Sequence, residues 1–251
     1  MTVPEPPMTQ ADAELPHAGE LELQRRYFAR RRPVRMLALD TPYVRRHHAE
    51  LMAAAALPPG AKVCEWGSGL GRFSRLLLQD GLRVDAIELS PQQSSEARDA
   101  LAGHDGLTVH CGDVAEVLET MPEAGFDAMV GYFMLHHLPE LERYFRGAHR
   151  ALRPGGRIVF VEPNPFHPLY PVQIACTPGM RWRAERGIYR LTPTGLRRAA
   201  QAAGFSGVHL RRYGSLPRAP YNWLARLGRE RMPEPFVPAV VKPFQAIVIE
   251  R

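Results

Sequence analysis

Cysteine is scarce in this sequence: Cys64, Cys111 and Cys176 are the only three among 251 residues. They are odd in number, far apart and without a Cys-x-x-Cys pair. That argues against a disulfide framework or a thiolate metal centre, and a reducing, cytoplasmic setting is expected. Long apolar runs are also missing. No stretch approaches the roughly 18 residues that a membrane-spanning helix needs. Residues 1–20, MTVPEPPMTQADAELPHAGE, have neither the basic nor the apolar region of a signal peptide and read as a Pro-rich, acidic lead-in. There is no Gly-Lys-Ser/Thr of a P-loop, and the glycine spacing of a dinucleotide fold is incomplete.

What is present is enough apolar residue, 45%, for a substantial core, and a net charge of +6 with an isoelectric point near 9.5. Such a charge would suit an acidic ligand, a nucleic acid or a lipid surface. The basic residues are spread as pairs (Arg25-Arg26, Arg45-Arg46, Arg197-Arg198, Arg211-Arg212) and not as a stripe with interleaved aromatics. Nucleic acid is therefore not the expected partner.

From Ala61 onward, strand-like and helix-like segments alternate. AKVCEW, LRVDAIEL, LTVHCGD, FDAMVGYFML and RIVFVEP read as strands. GRFSRLLLQDG, SPQQSSEARDALAG and PELERYFRGAHRALRPGG read as the helices between them, the second with a Ser N-cap and Pro at its first position. A later helix, TPTGLRRAAQAAGF, and two final strands, GVHLRRY and FQAIVIER, close the pattern. This order implies an α/β fold with a mostly parallel sheet covered on both faces and an antiparallel pair at one edge. Residues 1–57 are expected to form a lead-in and helical cap, and 58–251 the main domain. Pro- and aromatic-rich insertions at about 163–191 and 214–242 are expected to form a lid.

The segment CEWGSGLGRF carries Gly67, Gly69 and Gly71 at the end of the first strand. In an open α/β sheet, ligands bind outside the carboxyl ends of the strands, and glycines there admit a ligand close to the backbone. Acids end the neighbouring strands. Glu88 closes the second strand, 21 residues after Gly67, where a carboxylate accepts ribose hydroxyls. Asp113 follows the third and is placed to accept from an adenine amino group, and Glu65 is placed to neutralise a ligand ammonium. Each acid alone also reads as a loop acid or helix cap. Together they read as a site for a cationic, phosphate-free nucleoside.

These pieces, VCEWGSGLGRFS, VDAIELS, CGDVAE, FDAMVGYFMLHHL and LRPGGRIVFVEPN, resemble the class I S-adenosylmethionine (SAM)-dependent methyltransferases over residues 61–164. The resemblance implies a Rossmann-like three-layer sandwich with a seven-stranded sheet of order 3-2-1-4-5-7-6, strand 7 antiparallel. It implies SAM as cofactor and S-adenosylhomocysteine as product. It implies that Glu65, Gly67 and Gly69 surround the methionine part, that Glu88 holds the ribose, and that Leu89, Asp113 and Val114 flank the adenine. Tyr132 or Phe133 would lie near the methionine end, and His137, where the family often carries a His, is a further candidate cofactor contact. Trp66 departs from the usual small residue and would press either on the cofactor or only on the core.

The acceptor is open. His136 and His137 follow the fourth strand. As adjacent residues they seldom supply metal geometry, so no metal is expected, and a hydrogen-bonded ring or a base is the alternative. Asn164, Tyr170 and Glu185 join His136 as candidate catalytic residues. Tyr27, Asp40, Tyr43 and Tyr189 are candidate substrate contacts. An aromatic or natural-product acceptor, methylated on oxygen, nitrogen or carbon, fits such a pocket, an indole-type carbon included. Secondary metabolism fits it better than housekeeping. The alternatives are an isoprenoid or lipid acceptor at a membrane surface, an RNA or protein substrate, and a SAM-binding protein without catalysis. Trp223, Leu224 and Leu227 with Arg226, Arg229 and Arg231 give the membrane alternative a short basic amphipathic helix.

Overall fold

The computed structural model describes residues 40–176, 182–231 and 234–251, together with residue 19. Seven strands form one sheet in the order β3-β2-β1-β4-β5-β7-β6. They are β1 Lys62–Trp66, β2 Arg83–Glu88, β3 Leu107–Cys111, β4 Phe126–Tyr132, β5 Leu152–Pro163, β6 Gly207–Tyr213 and β7 Phe244–Glu250. β1 to β5 run parallel, and β7 is antiparallel to both β5 and β6. This is the expected topology.

The helices that matter for the site are α1 Pro42–Ala55, α2 Arg72–Gln79, α3 Pro91–Ala100, α4 Val114–Thr120, α5 Leu141–Ala151, α6 Tyr170–Cys176, α7 Trp182–Glu185, α8 Pro193–Ala202 and α9 Arg218–Ala225. Three start as their sequences direct. The side chains of Thr41, Ser90 and Thr192 accept an N–H from the first turn of α1, α3 and α8, each with Pro at the helix start.

Alternation along the strands divides the interior into two cores. Cys64 and Trp66 of β1, with Ile158 and Phe160 of β5, face α4, α5 and α8. Val63, Val159 and Val161 face the other way, onto α1 and α2. Trp66 is fully buried with its ring 5.4 Å from Phe160, so it belongs to the core. The described part of the N-terminal segment, α1, contributes Val44, Leu51 and Ala55 to the second core. Burying one such leucine contributes about 1.5–3 kcal/mol.

Two local readings needed correction. Residues 152–156, expected to end a helix in a Pro-Gly-Gly turn, belong to β5, because Leu152 pairs with Phe126 and Arg157 pairs with Ala128. The residues between bulge out, with Gly155 at φ 77°. The second is α4: residues 114–120, given no element by the sequence pattern, form a helix that the Asp113 side chain caps.

Candidate active site

The cradle is built where β1 ends. Gly67, Gly69 and Gly71 have φ of 68°, 56° and 74°, the left-handed region that side chains avoid. A Cβ at Gly67 would also run into Cγ of Met134. The N–H groups of Gly67 and Ser68 donate to the Ile87 carbonyl at 2.8 and 3.1 Å, which fastens this loop to β2. Glu88 adds a second fastening: its carboxylate accepts from Gly69 N at 2.8 Å and Ser90 N at 2.9 Å. Burial pushes its pKa up, against those backbone donors.

Beside the loop lies a cavity of about 270 Å³. The glycine loop and Glu88 form one wall, with Leu89 and Gln93. Asp113 and Val114 form the next, and Tyr132, Phe133, Met134, His137 and Leu138 the third. Asp113 caps α4 through Oδ1, which accepts Ala115 N at 3.0 Å, and its Oδ2 accepts the Tyr144 hydroxyl at 2.9 Å. Tyr132 stacks on Phe73, ring centroids 3.6 Å apart and 6° from parallel. Its hydroxyl meets His48 Nδ1 at 2.8 Å, and His48 Nε2 meets Asp80 at 2.7 Å. Phe133 is held at φ 55°, a strained conformation for a side-chain-bearing residue and one that clusters at functional sites.

Glu65 does not line this cavity. Its carboxylate is buried and accepts the Ser74 hydroxyl at 2.5 Å. Burial raises its pKa to about 7, opposed by Ser74 and helped by the nearby Glu88.

A second polar cluster adjoins the third wall. Residues Leu135–His137 form a 3₁₀ turn after β4. His136 is buried, with Nδ1 2.6 Å from Glu162 Oε2 and Nε2 3.3 Å from Glu185 Oε2. The Tyr170 hydroxyl donates to the same Glu185 oxygen at 3.0 Å. Burial alone would lower the imidazole pKa, but Glu162 and Glu185 outweigh it and raise it to about 9. Burial works equally against the Glu185 charge, yet His136, with His137, holds that carboxyl down to about 2. The structure thus brings together three of the four residues singled out as catalytic: His136, Tyr170 and Glu185.

Asn164 lies elsewhere. It is buried, and its amide donates to the carbonyls of Val240 and Lys242 at 2.8 and 2.7 Å while its oxygen caps Phe166 N at 3.1 Å. It ties the two insertions together and does not line the cavity. Tyr43 packs edge-on against His47, Tyr221 and Phe244, with centroids 4.4, 5.6 and 6.0 Å away. Asp40 is exposed and pairs with Arg45. Tyr189 is 45% exposed beside Trp182, and Tyr27 lies outside the described residues.

The cavity wall also contains residues that the sequence did not single out. Met134 fills the space left by Gly67, and Gln93 was signalled only by its place in the first turn after Ser90. Glu162 had no local signal beyond ending β5. The lining combines apolar Ile87, Leu89, Val114 and Leu138 with the carboxylates of Glu88 and Asp113 and a loop in which Gly67 and Gly69 leave the backbone bare. This set fits an adenosyl group: flat apolar faces for the base, acceptors for its hydroxyl and amino donors, and bare backbone for the tail.

The family profile described as "Methyltransferase domain" matches residues 29–210. Among curated proteins, an S-adenosyl-L-methionine-dependent Diels-Alderase of Talaromyces variabilis is 32% identical over 123 residues, 47% of this chain and 42% of that protein. A demethylmenaquinone methyltransferase of Tropheryma whipplei is 28% identical over 141 residues, 53% of this chain and 56% of that protein. The chain thus spans about half the length of the curated relatives it matches. Among solved structures, phosphoethanolamine N-methyltransferase 2 of Haemonchus contortus, in complex with S-adenosyl-L-methionine, superposes with a TM-score of 0.64 at 16% identity. The match covers 90% of this chain and 59% of that one.

Proposed function

The chain belongs to the class I S-adenosylmethionine-dependent methyltransferases, and we propose that it transfers the cofactor's methyl group to a small-molecule acceptor. The observation that carries this reading is the glycine-walled cavity with Glu88 and Asp113 on its rim. When bound, SAM supplies a methyl group already activated by its positive sulfur. The chain's task is then to hold the acceptor in line and keep water out, and orientation of that kind can supply about 7–11 kcal/mol.

In this reading Glu88 receives the ribose hydroxyls, Leu89 and Val114 sandwich the adenine, and Asp113 accepts from its amino group. Gly67 and Gly69 leave room for the methionine part. Tyr132, Phe133 and His137 border the methyl end, where the acceptor docks against the segment carrying Tyr170, Glu185 and Tyr189. Glu65, which accepts the Ser74 hydroxyl, would answer the cofactor ammonium through Ser74 or water. In this reading the described parts of residues 163–191 and 214–242 cover the acceptor as a lid. The names of the relatives, a demethylmenaquinone and a ubiquinone biosynthesis methyltransferase among them, favour an aromatic acceptor of the quinol or phenol kind.

A second reading has one observation in its favour. Both ring nitrogens of His136 are held by carboxylates, which suits a reaction that needs no proton acceptor there. A SAM-dependent Diels-Alderase and a [4+2]-cyclase are among the similar proteins. Binding of the cofactor without methyl transfer is that alternative.

Calorimetric titration with SAM, S-adenosylhomocysteine and, as control, NAD tests the cofactor site. Micromolar binding of the first two and none of NAD is expected, and NAD binding would overturn the reading. Release of S-adenosylhomocysteine with quinol, phenol or indole acceptors then separates methyl transfer from the alternative, which predicts tight binding and no release.

A further inference from the structure

We propose that His136, His137 and Glu185 form a binding site for one divalent transition-metal ion of borderline softness, of the zinc and cobalt kind. Among the described residues, these three bring a ligand atom each to within 4.8 Å of one another. Two imidazoles and one carboxylate are a donor set of open, three-ligand zinc centres. In the sequence the adjacent histidines offer only a pair. The third donor arrives from the insertion, far along the chain.

The surroundings are those of a metal centre. Glu162 Oε2 lies 2.6 Å from His136 Nδ1, so the ring donates there, and an ion entering beside Glu185 would displace the proton on Nε2 and take its lone pair. A carboxylate behind a ligating histidine fixes its tautomer and raises its basicity. Glu162 is itself fixed by the N–H groups of Met134 and Leu135, at 2.8 and 2.6 Å. Tyr170 fixes Glu185 in the same way, at 3.0 Å. The 3.3 Å between His136 Nε2 and Glu185 Oε2 is long for a charge-assisted hydrogen bond. It is close to the spacing that two ligands about 2.0–2.1 Å from a tetrahedral ion would show. The rings of His136 and His137 stand 3.9 Å apart, so both can turn to one point.

The backbone locks this arrangement. A Cβ at Gly187 would overlap the His136 carbonyl oxygen, so only glycine lets the insertion approach closely enough to deliver Glu185. His137 also lines the cofactor cavity, which sets the open coordination position on the acceptor side. An acceptor hydroxyl bound there would lose its proton more readily, as metal-bound water does. The binding site itself does not depend on methyl transfer and is tested without it.

The test uses tag-free full chain, stripped with a chelator and titrated with Co²⁺ under visible spectroscopy, then with Zn²⁺ against a chromophoric competitor. One Co²⁺ per chain with the intense bands of four- or five-coordinate cobalt is expected, displaced by one Zn²⁺. His137→Ala should abolish stoichiometric binding, and Glu162→Gln should weaken it about 10–100-fold. The wild-type spectrum needs no variant to fold. The weak spectrum of hydrated cobalt, or less than one zinc per chain, would overturn the proposal. So would wild-type affinity in a folded His137→Ala.

Discussion

Glu162 Oε2 lies 2.6 Å from His136 Nδ1, while Glu162 Oε1 receives the N–H groups of Met134 and Leu135. One fully buried carboxylate at the end of β5 therefore organises the whole turn after β4. Glu162→Ala would leave three donors without their acceptor, two of them buried. Removing one partner of a buried pair costs about 3–5 kcal/mol, and guanidinium unfolding should show a loss of that order. A midpoint equal to that of the wild type would mean that the turn holds without it.

The carboxylate of Glu88 has a double duty, fastening the glycine loop and facing the cavity. Glu88→Ala should weaken SAM binding by about 1.5–3 kcal/mol for each ribose hydrogen bond lost, or roughly ten- to a hundredfold. Calorimetry reads this directly. A variant that melts earlier yet keeps its affinity would leave Glu88 only the fastening role.

Gly67→Ala meets two obstacles, the left-handed backbone, worth about 1–2 kcal/mol, and Cγ of Met134. Lower thermal stability and loss of cofactor binding are expected. Combining it with Met134→Ala should recover part of the stability, since that change removes the collision and leaves the backbone strain. No recovery would place the cost in the backbone alone.

Glu65 links stability to pH. Its pKa rises from an unfolded value of 4.5 to about 7 in the folded chain because it is buried. The folded state therefore holds this proton more tightly than the unfolded state does. The stabilisation is fully present below about pH 4.5 and is lost as pH rises through about 7. Cofactor-free protein should show a stability loss over this window that Glu65→Gln removes. The same slope in the variant would assign it to another group.

Much of the fold was legible because its signals are local. Strand alternation, the Ser90-Pro91 and Thr192-Pro193 helix starts and the glycines at 67, 69 and 71 each act within a few residues. So did the acids at strand ends, which is why Glu88 and Asp113 were found. Asp113 also shows the limit: it caps α4 and accepts from Tyr144, and neither partner is evident from CGDVAE. What stayed hidden depends on distant pairing. Leu152 is a strand residue only because Phe126 lies beside it. Asn164 looked aimed at a ligand until the carbonyls of Val240 and Lys242 took its amide. Glu185 gains its meaning from His136 and from a glycine two positions later.

The place of β7 has a consequence for how the chain is born. β5 finds its final neighbour only in Phe244–Glu250, about 80 residues downstream. During synthesis the parallel strands can assemble while that edge stays open for seconds, a template for any passing strand. The insertion that carries Tyr170 and Glu185 is made within that interval. The half-finished sheet should be the species that chaperones meet, and β7 is the strand that seals it.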